Sequence, residues 1–268
     1  MTELITMHTH STFCNHAKDP LGDMVQAAVD AGIAHMAATE HYPIPDELDP
    51  SKRSTMPAER LEAYIDAVRE QQKRDDIDVL LGCELDWLGK DETRALHASD
   101  FDRFDVVLGS IHFVDRWLMV SHKNMSRWKS VDLEAFWNRY VELWCEAAKS
   151  DMPFTVMAHA DVVKKFSPKP EFDLEPLYER MARAAREGGR MVEVNTSGAY
   201  AECAEYYPSP SLLQAFCAEG VACTVGTDAH CKEHIARDIE RAYDYMRAAG
   251  YTQLAVPTRR RGVRMVDL

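Results

Sequence analysis

Residues 4–32 read LITMHTHSTFCNHAKDPLGDMVQAAVDAG. The stretch opens as a strand candidate, LITMHTH over 4–10, and closes as an amphipathic helix candidate ending near Gly32. Asp19-Pro20 reads as the N-cap and first residue of that helix. The same alternation recurs down the chain. Further strand candidates are HMAATEH (35–41), DVLLGCELD (78–86), FDVVLGSIH (104–112), FTVMAH (154–159), RMVEVNT (190–196) and ACTVGTD (222–228). Between them, 57–74 begins with Pro57 and spaces Leu61, Tyr64, Ile65 and Val68 at helical intervals. Helices also fit 132–150, 175–187, 209–219 and 235–249. Strand–helix alternation predicts an α/β fold with a parallel sheet. Seven such strands can close into a TIM-like barrel or lie in an open doubly wound sheet, and composition does not decide between the two.

The chemistry-bearing residues sit at one end of these strands. His8 and His10 end the first, Glu40 and His41 the second, Glu84 and Asp86 the third, His112 the fourth and His159 the fifth. Asp228 ends the seventh, with His230 two residues on. In a parallel barrel all strand C-termini open on one face, where active sites lie. Six of the seven strands ending in His, Glu or Asp therefore points to a metal site, because burying so many titratable groups without a cation is costly. Mixed imidazole and carboxylate ligation suits Zn, Mn or Fe. His8 and His10, two apart on a strand, face the same way and suit one metal. Neighbouring Glu40 and His41 face opposite ways, so His41 is the better ligand and Glu40 a supporting group.

The whole chain bounds the function further. With 268 residues and 46% hydrophobic residues it can bury a sizeable core, and residues 1–268 read as one domain. A formal charge of −13 disfavours nucleic acid and anionic lipid as partners. Seven cysteines with no C-x-x-C pair argue against a zinc ribbon or disulfide framework and for a reducing cytoplasm. The N-terminus lacks a signal-peptide pattern, and no apolar run approaches the ~20 residues of a membrane span. A monomer and a homo-oligomer are equally compatible with these features.

Eight pieces, HTHSTFCNHA, ATEHYPIP, LLGCELDW, VVLGSIHF, MAHADVVKKF, VEVNTSG, YPSPSLL and VGTDAH, occur in the order of a known family. Through them the sequence resembles the PHP (polymerase and histidinol phosphatase) superfamily, and within it the histidinol-phosphatase branch. The resemblance implies a distorted (β/α)7 barrel holding three divalent metal ions. Carried over by motif, His8, His10, Asp228 and Glu84 would bind the first metal. Glu84 would bridge to a second, held by His112 and His159, and His16, His41 and His230 would bind the third. The implied reaction is hydrolysis of a small phosphorylated substrate, histidinol phosphate, by a metal-activated water. Asp19 and Glu40 are candidate acids for the leaving group.

The chain departs from the family pattern at NTSGAY (195–200). Tyr200 stands where relatives carry an arginine implicated in phosphate binding, and Ala201 follows. A phenol does not replace a bidentate guanidinium. Lys164 and Lys165 could carry the phosphate, an arginine such as Arg116 or Arg127 could enter, or the substrate could be another phosphate ester. A metal-binding protein without catalysis is the alternative of a different class, and the intact ligand set argues against it. Cys14 reads as a non-ligand, and His234 as a residue of the rim or of a helix start. His35 and His97 read as structural or exposed. So does His122, although it shares its loop with Trp117 and Trp128. Tyr200, Tyr206 and Tyr207 either line the substrate pocket or pack their loop.

Overall fold

The computed structural model describes residues 2–51, 54–97 and 101–268. In chain order the strands are β1 (Leu4–Thr6), β2 (Ile33–Ala38), β3 (Asp78–Asp86), β4 (Val106–Ser110), β5 (Phe113–Val114), β6 (Trp117–Leu118), β7 (Val156–Met157), β8 (Met191–Asn195), β9 (Cys223–Gly226), β10 (Gln253–Thr258) and β11 (Gly262–Asp267). The helices are α1 (Leu21–Asp30), α2 (Leu61–Gln71), α3 (Lys90–His97), α4 (Leu133–Lys149), α5 (Glu175–Gly188), α6 (Pro210–Ala218) and α7 (Ile239–Ala248).

Seven strands form one sheet in the order β1-β2-β3-β4-β7-β8-β9, and every pairing is parallel. Its two edges meet. Met7 N donates to Val225 O at 2.8 Å, Asp228 N to His8 O at 2.8 Å, and His10 N to Ala229 O at 2.9 Å. The sheet thus curls into a barrel, which resolves the choice left open by composition. The strands are buried nearly throughout, as expected for a parallel sheet covered on both faces. The helices pack their apolar stripes against it, with Tyr64 of α2 and Trp137, Tyr140 and Trp144 of α4 essentially inaccessible.

Three local features differ from the sequence reading. Pro20, extended at φ −62° and ψ 153°, takes the cap position of α1 without a side-chain cap, and the helix begins at Leu21. The Asp19 carboxylate instead accepts the Lys232 backbone N–H at 3.0 Å, tying the first loop to the last. Strands β5 and β6 make a hairpin over the barrel mouth, turned by Asp115 and Arg116 at φ 46° and 64°. Two positive φ values fit a tight hairpin turn that glycine or asparagine usually supplies, so the sequence carries no turn signal here. Strands β10 and β11 form a C-terminal antiparallel hairpin apart from the barrel sheet.

Candidate metal centre

The barrel strands deliver their polar ends to one place. His8, His10, Glu84, His112 and His159 are all buried, while His41 and His230 are partly buried. Glu84 lies in the middle. Its Oε1 accepts from Ser110 Oγ at 2.6 Å and lies 2.9 and 3.5 Å from Nε2 of His159 and His112. Its Oε2 faces His41 Nδ1 at 2.8 Å and Nε2 of His8 and His10 at 3.3 and 3.4 Å. One carboxylate therefore addresses two groups of imidazoles, one with each oxygen. Asp228 Oδ1 lies 3.2 Å from His10 Nε2 and 3.7 Å from His8 Nε2. His16, His41 and His230 make a further group, with ligand-capable atoms within 4.8 Å of one another.

Whether these groups fit a cation can be judged from their protons. Three imidazole pairs face each other Nε2 to Nε2: His8–His10 at 3.0 Å, His112–His159 at 3.2 Å and His16–His230 at 2.9 Å. On His8, His112, His16 and His230 the opposite nitrogen has an acceptor, whereas Nδ1 of His10 and of His159 is buried without one. His8 Nδ1 meets both oxygens of Glu193 at 3.0 and 3.1 Å, and His112 Nδ1 meets Asp86 at 3.0 Å. His16 Nδ1 meets the Cys14 carbonyl at 3.0 Å, and His230 Nδ1 meets the Asp228 carbonyl at 2.9 Å. In a neutral ring, an Nδ1–H held by such an acceptor leaves Nε2 as a lone pair; at His8 burial opposes the charge, but Glu193, Asp228 and Glu84 outweigh it and hold the imidazole well above its ordinary range. In the His16–His230 pair two lone pairs then oppose each other, an arrangement that a shared cation relieves. Burial, with His41 and His230 close by, pushes His16 down to about 3, and burial likewise pushes His10 well below the usual range. Both rings are therefore neutral donors at physiological pH. Burial opposes the charge on Glu84, but His41, His8 and His112 outweigh it and hold the carboxyl well below its ordinary range.

The backbone is strained at the same place. His159 and Asp228 have φ of 24° and 50°, a region costly for residues other than glycine and one that clusters at functional sites. Gly226 is needed for a different reason. A Cβ there would come within 2.5 Å of the His8 Cβ and 2.9 Å of Glu193 Oε2.

The remaining candidates lie elsewhere. Glu40 is sealed beneath the first loop, where its Oε1 accepts from Ser11 N at 2.6 Å and Ser11 Oγ at 2.5 Å. Burial pushes its carboxyl up to about 7. Through Ser11 it braces the loop that carries His16. The Lys164 ammonium is enclosed by Asp161 at 3.0 Å, Glu205 at 3.2 Å and the Tyr206 carbonyl at 2.8 Å, so it clamps a loop instead of offering a free charge. Lys165 lies 5.5 Å from the Phe166 ring centroid. Arg116 pairs with Glu92 at 3.0 Å and Arg127 lies over the Trp117 ring at 4.4 Å; among the described contacts neither side chain touches the nine metal-site residues or the loops that carry them past β8 and β9. Tyr200 is 54% exposed on the rim. Cys14, unlike these, lies at the cluster: its sulfur and ligand-capable atoms of His10 and His230 are within 4.8 Å of one another, but it is a buried thiol whose pKa burial raises. His35 pairs with Asp78 at 3.2 Å, away from the cluster, and His122 lies against Phe166. His97 ends α3, and its side chain lies outside the described residues. A cleft of about 1270 Å³ opens beside α5 and α6, but it shares only Lys164 with the candidates and none of the nine metal-site residues.

Sequence reasoning missed Glu193 and left Asp86 without a role. The signal for Glu193 was a carboxylate between two valines in the middle of a fully buried strand.

The PHP domain model matches residues 6–197. This chain belongs to the PHP domain family. Within that family it is 31% identical to a Deinococcus radiodurans protein named "Probable histidinol-phosphatase", over 86% of this chain and 87% of that one. A Schizosaccharomyces pombe protein of the same name is 24% identical, over 94% of this chain and 89% of that one. Among solved structures, the histidinol phosphate phosphatase of Lactococcus lactis subsp. lactis, complexed with zinc, L-histidinol and phosphate, superposes with a TM-score of 0.80. It covers 98% of this PHP chain and 99% of its own at 19% identity, a likeness of fold.

Proposed function

We propose that this PHP chain is a metal-dependent phosphomonoesterase that hydrolyses L-histidinol phosphate to L-histidinol and phosphate. The observation that carries the reading is Glu84, buried between two groups of imidazoles whose Nε2 atoms point inward. His8, His10 and Asp228 with Glu84 would hold one divalent cation, Glu84 with His112 and His159 a second, and His16, His41 and His230 a third. Bound Zn, Mn or Fe ions supply Lewis acidity for the phosphoryl oxygens and lower the pKa of water. The protein's own part is to fix the donors. Glu193 and Asp86 orient His8 and His112 through their Nδ1 atoms, Ser110 holds one oxygen of Glu84, and Asn195 and Ser197 hold Asp228 Oδ2 at 3.4 and 3.2 Å. Ordered donors keep the reacting geometry without reorganisation during the reaction.

The names of the Deinococcus radiodurans and Schizosaccharomyces pombe relatives support the substrate. Seven free cysteines support a reducing compartment. No described helix is long and apolar enough to cross a membrane. One continuous buried core supports reading residues 1–268 as one domain. A phosphate-release screen over a panel of esters tests the reading. Histidinol phosphate should be turned over best, and only by metal-loaded protein. Efficient release from other monoesters with none from histidinol phosphate would overturn the substrate and leave the phosphatase.

A further inference from the structure

The missing arginine at position 200 has a counterpart in space. Arg237 lays its guanidinium over the Tyr200 ring, with Cζ 3.8 Å from the centroid. Among the described residues no carboxylate pairs with that guanidinium, although the chain is strongly acidic. Its backbone is pinned to the barrel mouth. Thr196 Oγ1, just past β8, donates to the Arg237 carbonyl at 2.9 Å, and Thr227 Oγ1, just past β9, donates to the Ile235 carbonyl at 3.2 Å. Those same strand ends carry Asn195 and Asp228 of the metal centre. The stacking surface is fixed as well. Tyr200 and Tyr206 each donate a phenolic O–H to Asp238 Oδ2 at 2.9 Å, while Arg241 takes Asp238 Oδ1 at 3.2 Å. Asp238 adopts φ 62°, so the backbone next to Arg237 is held in a costly conformation. Nearby, Arg237 and Lys18 both bear on His234, and the Lys18 backbone N–H donates to the His230 carbonyl at 2.8 Å.

We propose that Arg237, held over the Tyr200 ring, binds the phosphoryl oxygens of the substrate in place of the arginine that this chain lacks at position 200. A planar guanidinium stacked on an aromatic ring keeps its in-plane N–H donors free for an oxyanion. Tyr200 is then the platform for the clamp rather than its loss. The inference rests on the phosphomonoesterase reading but not on which ester is the substrate.

Calorimetric titration of metal-loaded protein with inorganic phosphate, and separately with L-histidinol, tests it without turnover. Arg237→Gln should weaken phosphate binding roughly 10- to 100-fold, the loss expected when a charge-assisted contact is removed. L-histidinol binding, metal content and melting temperature should be unchanged. Tyr200→Ala should weaken phosphate binding less, and Arg237→Lys should restore part of it. Unchanged phosphate binding in a folded, metal-loaded Arg237→Gln protein overturns the assignment, as does parallel weakening of both ligands. If Arg237→Gln melts early or loses metal, Arg237→Lys decides: weakened phosphate binding supports the clamp, and wild-type binding overturns it. Turnover of other esters with none of histidinol phosphate, alongside a phosphate loss in Arg237→Gln, would break the substrate reading and leave the clamp standing.

Discussion

At the barrel mouth, His8 and Glu84 are 0% and 2% exposed and held on several sides by carboxylates, hydroxyls and imidazoles. On the rim a few residues away, Tyr200 is 54% exposed and its ring carries one guanidinium. The two regions meet at Asn195 and Thr196, where β8 gives way to its loop. The mouth leaves its side chains little freedom, because any displaced donor would be stranded in a buried polar cluster. The rim is solvated, so one cation can be supplied from a different chain position. On the proposed reading, that contrast lets the nine candidate metal ligands be kept while the phosphate contact moves to Arg237.

The contrast can be broken at several points. Stripping metal with a chelator should abolish phosphate release. It should also lower the melting temperature by on the order of 10 °C, since ligand at a thousand times its Kd contributes about 4 kcal/mol. An unchanged melt would mean that the mouth is pre-formed without cations. Glu84→Gln should cut kcat on the order of 10³-fold and lower the metal content found by elemental analysis. Full metal occupancy in that variant would remove Glu84 from its bridging position. Glu193→Gln touches no proposed cation, yet should weaken metal affinity roughly 10- to 100-fold through His8. Competition with a metal-sensitive dye reads that value. Gly226→Ala should destabilise by about 1–3 kcal/mol in urea, because the new methyl meets His8. On the rim, Tyr200→Phe keeps the ring and loses one exposed hydrogen bond to Asp238. It should change kcat/KM by no more than about 2-fold, and a much larger loss would mean that the hydroxyl itself meets substrate.

The legible part of the centre was the part written in strand periodicity. His8 and His10 share a face because they are two apart on an extended chain, and their Nε2 atoms do meet at 3.0 Å. Glu193 escaped notice because a carboxylate inside an apolar run has no local partner in sequence; its partner, His8, is 185 positions away. Lys164 looked available for phosphate because it follows His159 closely, but Asp161 and Glu205 had already claimed it.

By itself the sequence determined the alternation of strands and helices, the end of the strands on which the imidazoles fall, and the absence of an arginine at position 200. These follow from short-range rules, period and residue type, that a single chain displays. Only the tertiary structure decided that the sheet closes, that Glu84 stands between two imidazole groups, and that Arg237 lies on Tyr200. Those facts depend on closing loops of up to some two hundred residues, and only the packed barrel sets which side chains then meet.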